Sequence, residues 1–126
     1  MKKITLSDGE WKLMRLLWTK PHTAPQLVSA LRDDTGWTKG TVYIMLTRML
    51  ERGTIRVEEG ARAKVYYPVL RQEEAAAAET KSFLARVYNG SISMMIASLT
   101  GQNALKQEEI DSLYDILRHA KEEVSR

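Results

Sequence analysis

The chain has 126 residues, of which 44% are hydrophobic and 28% charged, with a formal net charge of +3 at pH 7. That length holds one modest core, or one small domain with a helical appendage, and excludes a large multi-domain enzyme, because a domain takes about 50 to 200 residues. The composition is that of a folded chain rather than a disordered tail, and the lack of cysteine excludes disulfides, thiolate metal sites and a cysteine nucleophile, in keeping with a reducing cytoplasm.

At the N-terminus, Lys2 and Lys3 are followed by polar and acidic residues before any apolar stretch forms, so no signal peptide is expected. Ser7-Asp8-Gly9-Glu10 has the form of a capping box, with Leu6 and Trp11 placed as a hydrophobic staple. The first helix therefore starts at Asp8, carries Trp11, Met14, Leu17 and Trp18 on one face, and ends by Pro21. Thr23-Ala24-Pro25-Gln26 repeats the signal and opens a second helix to about Asp34, with Leu27, Ala30 and Leu31 as its buried stripe. Asp33-Asp34-Thr35-Gly36 reads as a turn.

Thr38 caps a third helix, whose apolar face is Val42, Leu46, Met49 and Leu50 and whose end is set by Gly53 in a left-handed conformation. Three helices thus precede any strand. Thr54 to Glu58 alternates, Ala63 to Tyr67 is a second β-prone run, and Glu59-Gly60-Ala61-Arg62 between them is a hairpin tip. Pro68 closes the unit because it has no amide to give to a strand ladder.

Beyond Arg71 there is no strand signal. Glu73 to Tyr88 is an alanine-rich helix, Asn89-Gly90 a break, Ser91 the cap of Ile92 to Leu99, Thr100 to Asn103 a second break, and about Lys106 to Glu123 a last helix. No apolar run approaches the roughly 18 to 20 residues that cross a bilayer, so a cytoplasmic location without membrane insertion is expected.

The predicted fold class is mainly α with a small β-hairpin wing: a winged helix-turn-helix in residues 1–70 followed by an α-helical dimerisation region in 71–126. The small net charge divides at the same place. Residues 1–70 carry 12 Lys and Arg against 7 Asp and Glu, a net of +5, whereas residues 71–126 carry 7 against 9, a net of −2. A polyanion would bind the first part.

Helix three supplies the reading surface. Lys39, Gly40, Thr41, Tyr43, Ile44 and Thr47 lie opposite its core stripe, where they can enter a major groove. Lys39 stands in the first turn, where free amides favour phosphate, Gly40 lets backbone approach closely, and Tyr43 can meet a base edge or a thymine methyl. Thr38 and Arg48, with Arg62 and Lys64 at the wing tip and Arg56 on the facing strand, can hold phosphates. The competing reading is an ordinary amphipathic helix with a solvated polar face and a hairpin whose charges only keep it dissolved. A solvated face usually mixes Glu with Lys, and Thr38 to Met49 contains no carboxylate.

Trp11, Trp18 and Trp37 could stack single-stranded bases, but their places in a core stripe and beside a helix cap favour packing. His22 and His119 are far apart and belong to no ligand spacing, so both are expected at the surface and neither a metal nor another cofactor is implied. The acidic run Glu108, Glu109, Asp111 and Asp115 has no second catalytic group beside it, so the chain is not read as an enzyme. In the tail, Phe83, Val87, Ile92, Met95, Ile96, Leu99, Ile110, Leu113, Ile116 and Leu117 make apolar stripes with little to cover them, and a second copy is the simplest cover. The alternative function is a winged-helix protein-interaction module without sequence-specific DNA binding.

The run Leu6-Ser7-Asp8-Gly9-Glu10-Trp11, then Leu16-Leu17-Trp18, then Trp37-Thr38-Lys39-Gly40-Thr41-Val42 with Leu46, Arg48, Met49 and Leu50, then Gly53 and Val65-Tyr66-Tyr67-Pro68, resembles the BlaI/MecI/CopY family of penicillinase-type repressors. The tail from Phe83 to Leu117 resembles that family's dimerisation region. The resemblance implies a transcriptional repressor that sits as a homodimer on a palindromic DNA operator near resistance genes, β-lactam resistance among them. In many members a membrane-bound sensor protease releases the repressor by a cut in the dimerisation helices. Where β-lactam-responsive members are cut at Asn-Phe, this chain has Ser98-Leu99. The cysteine metal motif of the copper-responsive branch has no counterpart here, so copper sensing by that route is not implied.

Overall fold

The computed structural model describes residues 5–125. Helix α1 (Asp8–Thr19) begins where the serine places it: Ser7 Oγ accepts from the Glu10 amide at 3.2 Å, and Glu10 Oε1 accepts from the Ser7 amide at 2.8 Å. Leu13, Met14 and Leu17 are buried in the core, with Leu6 closing over them. Trp11 and Trp18 are only half-buried and pack edge to face, their ring centroids 5.6 Å apart.

A strand precedes the second helix, contrary to the expected order. β1 (His22–Thr23) pairs antiparallel with β3, His22 opposite Tyr66 and Thr23 opposite Val65. Two residues are too few to show any alternation, and the partner strand lies some forty residues further along the chain. The pairing buries His22, expected at the surface, with Nδ1 2.7 Å from the Lys20 carbonyl oxygen.

α2 (Ala24–Thr35) carries the second capping box, with 3.3 Å from the Gln26 amide to Thr23 Oγ1 and 2.9 Å from the Thr23 amide to Gln26 Oε1. Its inner face is Ala24, Leu27 and Leu31; Ala30, expected inside, is exposed, because Ala24 takes the inner position one turn before Leu27. Asp33, Asp34 and Thr35, expected as a turn, are the last helical residues, and Gly36 ends the helix at φ 68°. α3 (Lys39–Arg52) buries Val42, Leu46 and Met49, leaves Leu50 half-buried, and ends at Gly53 with φ 78°.

β2 (Ile55–Glu59) and β3 (Lys64–Pro68) complete a sheet of order β1-β3-β2, in register from Ile55 opposite Pro68 to Glu59 opposite Lys64. The tip falls one residue later than expected: the Gly60 amide donates to the Ala63 carbonyl at 3.0 Å. Ile55 enters the core, whereas Val57 remains exposed. Trp18 Nε1 donates to the Leu70 carbonyl at 2.9 Å, and Leu70 and Ala75 join the same core. The first compact unit accordingly ends at Thr80, inside α4 (Gln72–Tyr88), and the second begins at Lys81.

In the second unit, Asn89 and Gly90 take φ of 52° and 85°, and Ser91 Oγ accepts from the Met94 amide at 3.1 Å to start α5 (Ile92–Gly101). Thr100 and Gly101, expected in a break, are helical, and the break lies at Gln102 and Asn103. α6 (Gln107–Val124) follows. No residue of α5 or α6 is buried. No helix among the described residues is long and apolar enough to cross a membrane.

Candidate nucleic-acid interface

A cap of its own and two tertiary contacts fix α3 within the first unit. Thr38 Oγ1 accepts from the Thr41 amide at 3.3 Å and caps the helix. Trp37, just before the cap, lies over Gly9 of α1 so closely that a Cβ there would stand 3.1 Å from the indole and 2.8 Å from Met45 Cε. At the other end, Arg52 donates two hydrogen bonds to the Glu10 carboxylate, at 3.0 and 2.8 Å, and one to the Thr5 carbonyl at 2.7 Å. The sequence reading assigned Glu10 to the capping box and gave Arg52 no partner, because the pair is separated by 42 positions.

The outward face of α3 carries Lys39, Gly40, Thr41, Tyr43, Ile44, Thr47 and Arg48, all exposed. Lys39 Nζ stands 5.6 Å from the centre of the Tyr43 ring, within cation–π range. Thr47 Oγ1 donates to the Tyr43 carbonyl at 2.9 Å, and the Thr38 and Thr41 hydroxyls are 3.2 Å apart. Gly40 is open: a Cβ built there would meet only Thr38 Oγ1, at 3.8 Å. Behind this face, burial first and the neighbouring Tyr43 phenol second push the Tyr66 phenol above its ordinary value.

On the wing, Arg62 and Lys64 are exposed near the tip and Arg56 is not free. Its guanidinium lies 4.1 Å from the centre of the Tyr67 ring and 2.7 Å from Glu58 Oε1. Among the described residues, Lys12, Arg52, Arg56, Arg71 and Arg118 are each paired with a carboxylate; Lys39, Arg48, Arg62 and Lys64 are not, and neither are Arg15, Lys20, Arg32, Lys81, Arg86, Lys106 and Lys121 elsewhere in the chain. α3 and the wing therefore hold cations whose charge no neighbouring side chain neutralises, and such groups attract phosphate.

The remaining candidates fall elsewhere. Trp11, Trp18 and Trp37 pack against the core. Among the described residues no group of three or more His, Cys, Asp or Glu could hold a metal ion. In the second unit, Phe83, Val87, Ile92, Ile116 and Leu117 are exposed, while Met95, Ile96, Leu99, Ile110 and Leu113 are half-buried. Ser98 and Leu99 lie inside α5.

Residues 6–119 match the model of a protein family described as penicillinase repressor. A penicillinase repressor of Bacillus licheniformis is 30% identical over 123 residues, which cover 96% of each chain. The methicillin resistance regulatory protein MecI of Staphylococcus aureus is 24% identical over 117 residues, 92% of this chain and 95% of that one. The solution structure of the DNA binding domain of the repressor BlaI superimposes with a TM-score of 0.52 at 23% identity, over 58% of this chain and 90% of that one, and so shares the winged-helix fold.

Proposed function

The chain belongs to the penicillinase repressor family, and from that premise we propose that it represses transcription by seating α3 in the major groove of a palindromic operator as a homodimer. One observation carries the reading: the outward face of α3 and the wing tip hold four cations without a carboxylate partner among the described residues, on a helix with no carboxylate from Thr38 to Met49. Lys39, Thr41, Tyr43 and Thr47 face base edges; Thr38, Arg48, Arg62 and Lys64 hold phosphates and set the register. Penicillinase and methicillin resistance are in the names of the relatives, which makes resistance genes the class to search for operators.

The second unit pairs two copies. Its helices bury none of Phe83, Val87, Ile92, Ile116 and Leu117 within one chain, and an apolar surface of that kind is stabilised by a partner. Two half-sites held by one dimer bind far more tightly than either alone, through effective concentration, so an inducing signal needs only to loosen the dimer. A sensor protease acting at Ser98-Leu99 would first have to unwind α5, which holds both residues in helix.

The test is fluorescence anisotropy on labelled duplexes from the chain's own upstream region, with random duplex of equal length as competitor, at low and physiological salt. A segment with inverted repeats bound about a thousandfold tighter than random DNA is the expected result. Equal, weak binding to every duplex would overturn the proposal.

A further inference from the structure

The outward face of α3 is poor in groups that read bases by hydrogen bonding. From Thr38 to Thr47 there is no Asn, Gln or Arg; Lys39, with Arg48 one residue beyond, is the only side chain there of the kind that pairs bidentately with a purine. Its threonine hydroxyls are already engaged: Thr47 donates to the Tyr43 carbonyl, and Thr38 and Thr41 bond with each other. Its one cation over this span, Lys39, lies against the Tyr43 ring. What the face does offer is apolar surface. Ile44 is 55% exposed and Tyr43 38% exposed, and both follow directly on the first turn, the part of a recognition helix that reaches base edges. Gly40, Ile44 and Thr47 fall on one side at helical spacing, opposite Val42, Leu46 and Met49 in the core. Nothing among the described residues of the first unit covers Ile44, and the unpaired cations on the same face and the wing favour a polyanion as the occupant.

Resting on the repressor reading, we propose that Ile44, with Tyr43 beside it, reads thymine by packing against its C5 methyl group in the major groove, so that the operator carries thymine at the base pairs facing Ile44 in each half-site. The methyl is the one apolar feature that a base pair presents in that groove. Its burial against an exposed isoleucine removes both surfaces from water, and deleting it changes neither Watson–Crick pairing nor the phosphates.

The experiment replaces thymines of the preferred duplex one at a time by deoxyuridine, which lacks only that methyl, and measures affinity for the wild-type chain and for Ile44→Ala. The expected wild-type result is a loss of about three- to tenfold at the symmetry-related positions facing Ile44 and little change elsewhere. Ile44→Ala should bind the thymine duplex more weakly and bind the thymine and deoxyuridine duplexes equally. Because Ile44 is exposed, the variant keeps its fold, which circular dichroism and thermal melting check. Wild-type affinities within twofold at every position, or an Ile44→Ala protein that still distinguishes thymine from deoxyuridine at the same positions, would overturn this inference while leaving the repressor reading intact. A chain with no preferred duplex would overturn both.

Discussion

Glu10 closes a loop of interactions that begins as a local signal and ends as a tertiary one. Its carboxylate accepts from the Ser7 amide and from both bonds of Arg52 Nη1, at 10% side-chain exposure. Removing Arg52 leaves a half-stripped carboxylate with a single amide, so Arg52→Met is expected to cost about 1–2 kcal/mol in urea unfolding, with coupling to Glu10→Gln in a double-mutant cycle. Gly40 presents the opposite case. A Cβ fits there without contact closer than 3.8 Å, and alanine lowers the entropy of the unfolded chain, so Gly40→Ala should gain up to about 1 kcal/mol in stability. If Gly40 is there to let DNA come close, the same variant loses operator affinity while melting at a higher temperature. A variant both more stable and equally tight on operator would remove Gly40 from the interface.

At the scale of elements, the caps of α1, α2, α3 and α5 were legible because each is made by residues three apart in sequence. β1 was not, because it exists only as the partner of Val65 and Tyr66, and its pairing is what buries His22. Gly9 reads in sequence only as a position within the Ser7–Glu10 capping box; the structure adds the close approach of Trp37 and Met45. Within the wing, the sequence treats Arg56, Arg62 and Lys64 alike, but the ring of Tyr67 and the carboxylate of Glu58 hold Arg56 back. Lys64→Ala is therefore expected to weaken binding to operator and random duplexes alike and to lower the slope of log affinity against log salt by about one, whereas Arg56→Ala leaves that slope unchanged. Anisotropy titrations over a salt series measure both.

For the whole molecule, the decisive surface is the one left uncovered. Leu117 is 65% exposed in a single chain, so Leu117→Asp removes no contact that the fold of one copy needs. If α6 joins two copies, the variant runs as a monomer in light scattering and loses operator affinity by orders of magnitude, through the lost effective concentration of the second half-site. An unchanged dimer mass would take Leu117 out of the interface. Helix starts and stops, the hairpin, the carboxylate-free face of α3 and the basic character of the first half all depend on neighbours within a few residues or on composition, and a chain carries that information along its own length. The two-residue strand, the Glu10–Arg52 pair and the seating of Trp37 on Gly9 join residues remote in sequence, and only the folded packing brings those partners together, because no local periodicity records which distant side chain will arrive beside another.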